Sequence, residues 1–144
     1  MKLNDMPFIT LEQYFGDKPY TTQEETNAVD LLNRVNGLAG EYQWRTGCLL
    51  KIDVDTGTFI SGSKNGAGDG GFRLPDAETG RPNSSHKEAK GVDVFDGDGE
   101  FSKWITDELL EKYGLFREAP SYTPGWVHLQ TRPVRSGNRT YRPH

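Results

Sequence analysis

The chain has a single cysteine, Cys48, and no apolar run that approaches the length of a membrane span. One cysteine excludes an internal disulfide and any metal site built from several thiolates. Beside Leu49 and Leu50, Cys48 is interpreted as a small buried hydrophobe. A bilayer crossing needs about 18 consecutive apolar residues, so no transmembrane helix is predicted. The first residues also lack the apolar stretch of a signal peptide, which predicts synthesis in the cytoplasm and any later release by another route.

Positive charge is scarce as well. The chain carries 17 Lys and Arg against 21 Asp and Glu, a net charge of -4, so general nucleic-acid binding is not favoured. The hydrophobic fraction is only 33%, with 17 glycines and eight prolines among 144 residues. This composition is typical of one loop-rich α+β domain over residues 1–144 rather than a helical bundle. Residues 1–20 are interpreted as an N-terminal arm of that domain.

Hydrophobic spacing predicts the elements of the first half. A capping box between Thr22 and Glu25 predicts a helix over residues 23–40, which Gly37 and Gly40 would weaken or end. Alternating residues over 47–54 and 58–60, separated by an Asp-Thr-Gly turn, predict a β-hairpin. Residues 61–85 are rich in Gly, Ser, Asn and Pro and form a long predicted loop.

Sequence patterns in the second half of the chain predict the strands and the helix around the candidate site. Residues 92–95 are predicted to be a short strand with Asp93 on the face opposite to its valines. Residues 99–113 have the spacing of an amphipathic helix, capped by Asp98 and stopped at Gly114. Residues 126–130 are predicted to be a central strand. These elements favour a small antiparallel sheet with helices on one side.

Three side chains form a candidate metal site: His86, Asp93 and His128. Two imidazoles and one carboxylate make a three-ligand zinc set that leaves one tetrahedral position open, as a catalytic zinc requires. Adjacent antiparallel strands would bring Asp93 and His128 together, and the preceding loop would fold His86 over them. Zn²⁺ is therefore the predicted cofactor.

The pattern Ser84-x-His86-x6-Asp93, followed by Trp126-x-His128, resembles the D-alanyl-D-alanine carboxypeptidase family of zinc peptidases. Flanking segments, such as 9–15 and 96–100, look like a small branch found in phages and prophages. The resemblance implies the zinc fold that this family shares with the hedgehog signalling domain. It also implies hydrolysis of an amide bond in bacterial cell-wall peptides.

The same resemblance implies roles for three further residues. Arg73, in Gly-Phe-Arg, resembles the arginine that stabilises the oxyanion in the family. Ser84 would orient a metal ligand or contact the substrate, with an ordinary turn serine as the alternative. Trp126 would wall the substrate groove, or pack into the core.

One position departs from the family pattern. Family members place a carboxylate about three residues before the last histidine ligand, as general base, but here that residue is Gly125. Glu118 is the best substitute in this segment, presented by a loop that doubles back. If no carboxylate reaches the zinc site, the chain would instead be a non-catalytic zinc-containing phage structural or wall-binding protein, with other virion proteins as partners.

Residues 132–144 form a locally basic tail that contains Arg132, Arg135, Arg139 and Arg142. It is interpreted as a solvated tail or a final strand with charged outer positions, or else as a patch for acidic wall polymers or an acidic partner protein. The expected partners are peptidoglycan peptides. The expected place of action is the cell wall after release, or a phage virion that carries the protein.

Overall fold

The chain folds into helices and one small sheet, which agrees with the predicted α+β class. The computed structural model describes residues 8–62, 70–75 and 84–143. Its helices are α1 (Leu11–Phe15), α2 (Thr22–Thr46), α3 (Glu100–Trp104) and α4 (Asp107–Tyr113), and two short 3-10 helices span Ser85–Glu88 and Pro120–Tyr122. Its strands are β1 (Gly91–Phe95), β2 (Phe116–Glu118), β3 (Trp126–Gln130) and β4 (Thr140–Tyr141).

The four strands are arranged in the order β1-β3-β2-β4. β3 therefore lies inside the sheet, which confirms the prediction of a central strand. It pairs antiparallel with both β1 and β2. The prediction of a purely antiparallel sheet is wrong, because β4 pairs parallel with β2. The chain after β3 crosses to the far edge of β2 before it enters β4, so the last strand runs in the same direction as its neighbour.

The two faces of the sheet have different roles. Val92 and Val94 of β1 lie opposite Leu129 and Val127 of β3, and all four side chains belong to the buried core with residues of the helices. Successive side chains of a strand point to opposite faces. The intervening pair, Asp93 opposite His128, therefore lies on the other face of the sheet. This alternation places the candidate ligands outside the apolar core but directly against it.

Helix α2 is longer than its sequence suggests. Its capping box is formed by Thr21 and Glu24, one residue before the predicted pair, and it ends at Gly47, whose φ of 72° is left-handed. Gly37, expected to weaken the helix, lies inside it. A Cβ on Gly37 would come 2.9 Å from Cε1 of Tyr113. The glycine thus lets α4 approach closely, and this packing offsets its helix cost of about 1 kcal/mol.

The helix predicted over 99–113 is interrupted. Ile105 is extended, and Thr106 caps α4 by accepting a hydrogen bond from the Leu109 amide. The guanidinium of Arg117 donates to the carbonyls of Ser102 and Ile105 at the break. These bonds satisfy groups that an uninterrupted helix would have paired internally. The predicted stop at Gly114, which has a left-handed φ of 67°, is confirmed.

The cap of α3 also differs from the prediction. Asp98 accepts from the Glu100 amide, but the N-cap residue is Gly99. The carboxylate of Asp96 reaches further into the helix and accepts from the amides of Phe101 and Ser102. Asp96 is therefore the main anion at this helix start, and its position two residues earlier was not predicted.

The predicted hairpin over 47–60 does not form. Only isolated bridges occur there, Asp53 with Thr58 and Ile60 with Val94. The buried carboxylate of Asp53 accepts from the amides of Asp55 and Gly62 and so holds the turn together. Apart from the Asp53–Thr58 bridge, the segment after the turn bonds to the edge of β1 rather than to its own first half. Cys48 is exposed, so its interpretation as a buried hydrophobe is wrong.

The N-terminal segment is part of the core. Ile9, Tyr14 and Phe15 are almost fully buried, whereas residues 1–7 lie outside the described residues. The hydroxyl of Tyr14 donates to the Gly91 carbonyl at 2.8 Å, which ties α1 to the start of β1. Of the predicted loop 61–85, residues 63–69 and 76–83 are outside the described part. Across the ranges that the structure describes, no helix combines the length and apolarity needed to cross a membrane.

The α2–α4 contact yields a pH prediction for stability. Hydrogen bonds from Lys112 and Tyr113 hold the pKa of Glu41 below its ordinary value. Because folding lowers this pKa, the ionised carboxylate stabilises the folded state at pH values above the unfolded pKa of about 4.3. That stabilisation is lost as the pH falls through the pKa that the carboxyl has in the folded protein. We expect Glu41→Gln to lower the free energy of unfolding by about 1 kcal/mol at pH 7. Urea unfolding at pH 7 and pH 3.5 should show the difference shrinking in acid; a constant difference would contradict this assignment.

Candidate metal centre

Three potential metal ligands converge on one point of the sheet face. One ligand atom from each of His86, Asp93 and His128 lies within 4.8 Å of the others. His86 comes from the 3-10 helix Ser85–Glu88, while Asp93 and His128 occupy the middle of β1 and β3. The strand register pairs Asp93 with His128 directly. The predicted juxtaposition of adjacent strands is confirmed, and the three side chains could hold a metal ion.

The Asp93 carboxylate is the centre of this cluster. Its Oδ1 lies 2.8 Å from Nδ1 of His128 and 3.3 Å from Nε2 of His86. The two imidazole rings are tilted by 49°, with their centroids 5.0 Å apart. Both histidines are buried, and the Asp93 side chain is only 14% exposed. The ligand atoms are therefore shielded from bulk water on most sides.

The outer ring nitrogens are bound to fixed acceptors. Nδ1 of His86 lies 2.8 Å from the carbonyl of Gly71, and Nε2 of His128 lies 2.8 Å from Oε1 of Gln130. The Gln130 amide is oriented by its donation to the Arg132 carbonyl at 2.7 Å. Each outer nitrogen must therefore donate its proton, because a carbonyl oxygen only accepts.

This hydrogen bonding leaves Nε2 of His86 and Nδ1 of His128 directed at Asp93. In those tautomers each neutral imidazole would direct one lone pair at the point where the Asp93 carboxylate lies. A cation satisfies all three groups, and so does protonation of the inner nitrogens, which then donate to Asp93. Two imidazole nitrogens, one carboxylate oxygen and hydrogen-bonded outer nitrogens are a donor set that suits zinc.

The charges in the cluster are strongly coupled. Burial by itself would raise the pKa of the Asp93 carboxyl, but His86 and His128 outweigh it and hold that pKa below its ordinary value. Burial opposes protonation of His128, yet the hydrogen bond and charge of Asp93, with a smaller contribution from Glu118, raise the pKa of that imidazole. Asp93 is therefore ionised at neutral pH and attracts positive charge to this point.

Glycine is needed where the cluster is most crowded. A Cβ on Gly91 would lie 2.3 Å from Oγ of Ser85 and 3.2 Å from Cε1 of His128. Oγ of Ser85 itself lies 3.3 Å from Nε2 of His128. The start of β1 thus lets the 3-10 helix and β3 approach each other, which brings His86 and His128 together.

Two of the other predicted site residues lie next to the cluster. Nη2 of Arg73 lies 3.8 Å from Oδ2 of Asp93, and the Arg73 amide donates to the His86 carbonyl. Oγ of Ser84 accepts from the His86 amide at 3.3 Å and caps the 3-10 helix that carries this histidine. Arg73 is thus placed beside the ligands, and Ser84 helps to position one of them.

Glu118 lies on the site face through strand pairing, not through the loop that the sequence predicts. It is the last residue of β2, and the β2–β3 register of Phe116 with Gln130, continued by two residues, sets Glu118 beside His128. No loop has to double back, because strand pairing alone places this carboxylate on the site face. Trp126, at the start of β3, is partly buried on the same face as His128.

The cluster lies in an open cleft of about 1060 Å³, lined by residues from the sheet face, the 3-10 helix and the C-terminal segment. All seven predicted site residues line it: Arg73, Ser84, His86, Asp93, Glu118, Trp126 and His128. A cleft of this size could accommodate a short peptide.

Three supporting groups were missed at the sequence level: the Gly71 carbonyl, the Gln130 amide and the Tyr141 hydroxyl, which donates to Oε1 of Gln130 at 2.7 Å. Gln130 could have been found, since it is two residues beyond His128 on the same strand and so shares its face. No sequence signal marks the Gly71 carbonyl or Tyr141, because both reach the site only through tertiary contacts.

No family model, no curated protein and no solved structure matches this chain. The geometry of the site therefore supports a metal centre in a cleft, and the peptidoglycan substrate rests on the resemblance in residue pattern. The resemblance to zinc peptidases remains a hypothesis based on residue pattern.

The Gln130 contact yields a prediction for metal affinity. Gln130→Leu removes the acceptor that fixes the proton of His128 on Nε2, so Nδ1 should be less available to a metal. Loss of such an outer partner typically weakens metal binding by about 10–100-fold. Competition with a chromophoric zinc chelator would measure this affinity. Gln23→Leu, on the exposed start of α2, should leave the affinity unchanged; equal affinities in both variants would refute the role of Gln130.

Proposed function

We propose that this protein is a zinc-dependent peptidase that hydrolyses an amide bond in peptidoglycan peptides. The observation that carries the proposal is the convergence of His86, Asp93 and His128 at an open cleft, with the outer imidazole nitrogens already bonded. A structural zinc normally has four protein ligands, whereas three ligands leave a position for a reactant. Within the described residues no fourth His, Cys, Asp or Glu joins this group.

His86, Asp93 and His128 would hold the zinc. When bound, the metal supplies Lewis-acid polarisation of the scissile carbonyl and makes a water molecule more acidic. Asp93 contributes one negative charge, so the site stays electrophilic. The Gly71 carbonyl and Gln130 hold the outer protons of the two imidazoles and so orient their inner nitrogens toward the point where the metal would bind.

Glu118 would move the proton. Its carboxylate takes a proton from the attacking water and passes it to the nitrogen of the leaving amine, so that one O–H bond breaks and one N–H bond forms. Its place beside His128 in the cleft supports this role. The Arg73 guanidinium would donate to the negative charge that develops on the attacked carbonyl oxygen.

The flanks of the cleft would position the substrate. Trp126 is partly buried on the site face and offers an aromatic surface for a peptide side chain. Ser84 lines the cleft while it caps the helix of His86, so a substrate contact is compatible with its structural bond. Such a protein would act at the cell wall after release from the cytoplasm where it is made, or from a virion.

The direct test is digestion of purified peptidoglycan by the zinc-loaded protein. Soluble products would be identified by mass spectrometry, which names the bond that is cut. We expect products from the wild type and none from Asp93→Ala, with circular dichroism checking that the variant is folded. Release of the same products by Asp93→Ala would refute the proposal.

A second candidate is a zinc-containing phage protein that binds the wall, or other virion proteins, without cutting peptides. It is favoured by Gly125, which has a φ of 92° and offers no carboxylate three residues before His128. Stoichiometric zinc binding together with virion incorporation and no peptidoglycan products would select this candidate.

A further inference from the structure

One wall of the cleft is formed by the C-terminal segment 132–143, which we term the C-terminal strap. Strand β4 fixes the strap to the edge of the sheet through its parallel pairing with β2. The Arg117 amide donates to the Arg139 carbonyl and the Ala119 amide to the Tyr141 carbonyl, each at 2.7 Å. The strap is therefore a built part of the cleft.

The arginines of the strap divide into two groups. Arg139 anchors the strap: its guanidinium stacks 4.3 Å from the Phe116 ring and donates to the Leu115 carbonyl. Arg132 is paired with Glu88. Arg135 and Arg142 are exposed and line the cleft, and no ion pair ties either of them to another described residue.

The charge of the cleft is opposite to that of the whole chain. Among the described residues, four arginines line it, namely 73, 132, 135 and 142, against two carboxylates, Asp93 and Glu118. The chain as a whole has a net charge of -4. An excess of one sign of charge in a cleft focuses the field and raises the local concentration of oppositely charged ligands. A bound metal cation would increase this positive potential.

We propose that Arg135 and Arg142 form a subsite for a substrate carboxylate, so that the cleft selects acidic peptides. This inference rests on the proposed peptidase function and specifies its substrate class. Guanidinium groups bind carboxylates through paired, charge-assisted hydrogen bonds. Pro133, Val134 and Pro143 lie in the same wall and give it apolar contacts that suit a peptide better than a polyphosphate chain.

The test uses two peptides of the same sequence, one with a free side-chain carboxylate and one with that group amidated. Binding is measured by calorimetry on the zinc-loaded Glu118→Gln protein, so that turnover does not interfere. We expect the acidic peptide to bind more tightly, and each of Arg135→Gln and Arg142→Gln to reduce that preference about fivefold. Lys103→Gln, which removes the same charge from an exposed position on α3, should leave the preference intact.

Equal affinities for the two peptides would overturn the inference. So would a preference that survives the combined Arg135→Gln and Arg142→Gln changes, or Arg-dependent binding of a teichoic acid fragment that exceeds binding of the acidic peptide. The outcome is separable from peptidase activity. If the arginine-dependent preference holds while the wild type releases no product from peptidoglycan, the proposed hydrolysis fails and the carboxylate subsite stands.

Discussion

His128→Ala is expected to abolish stoichiometric zinc binding. The substitution removes one of three candidate ligands and also the partner that lies 2.8 Å from Asp93. The loss of affinity should exceed the roughly 10–100-fold that removal of an outer hydrogen-bonding partner costs. Zinc content after gel filtration, measured by mass spectrometry, should fall from about one ion per chain to near zero.

The same variant should lose the thermal stabilisation that zinc gives the wild type. A ligand present at about 1,000 times its Kd stabilises the folded state by about 4 kcal/mol. Thermal unfolding with and without zinc would therefore separate the two proteins. His144→Ala is the matched control, because it makes the same chemical change at a position outside the described residues. Full zinc content in His128→Ala would contradict the metal assignment.

Glu118→Gln is expected to lower kcat for peptidoglycan hydrolysis by about 100- to 10,000-fold, the range for loss of a general base. The amide keeps the size of the side chain but no longer accepts a proton from water at neutral pH. Zinc content should stay at that of the wild type, since Glu118 is not among the three converging ligands. Initial rates of product release, with zinc measured in the same samples, test both statements.

Glu111→Gln is the control for the loss of a carboxylate, because Glu111 is exposed on α4. It should retain the wild-type rate. A Glu118→Gln protein that cuts at the wild-type rate would mean that another group takes the proton, while the metal site would remain as described. A wild type that binds zinc and cuts nothing would favour the non-catalytic candidate.

Local pattern predicted the elements that position the ligands. The bounds of β3 are those expected, and β1 begins one residue before the predicted strand. The alternation of Val92, Asp93 and Val94 correctly assigned the carboxylate to the face opposite the core. These features depend on the alternation of side chains along a strand and on turn residues a few positions away. Both can be read directly from the sequence.

The failures occurred where a distant contact outweighs local preference. Gly37 does not end α2, because the Tyr113 ring packs against it. The helix over 99–113 breaks at Ile105, where the Arg117 guanidinium takes up the freed carbonyls. Segment 58–62 bonds to β1 instead of forming a hairpin with 47–54. Each competing partner is at least ten residues away, so no local window contains it.

The sequence by itself determined which residue types are present for a metal site and which strand face carries Asp93 and His128. Only the tertiary structure decided how those groups are used. The Gly71 carbonyl and Gln130 select the nitrogen of each imidazole that faces the cluster, and β2 brings Glu118 beside His128. The physical reason is that side-chain alternation is a property of one strand. Proton placement depends on atoms that only folding brings within hydrogen-bonding distance, and the position of a second carboxylate depends on the pairing of another strand.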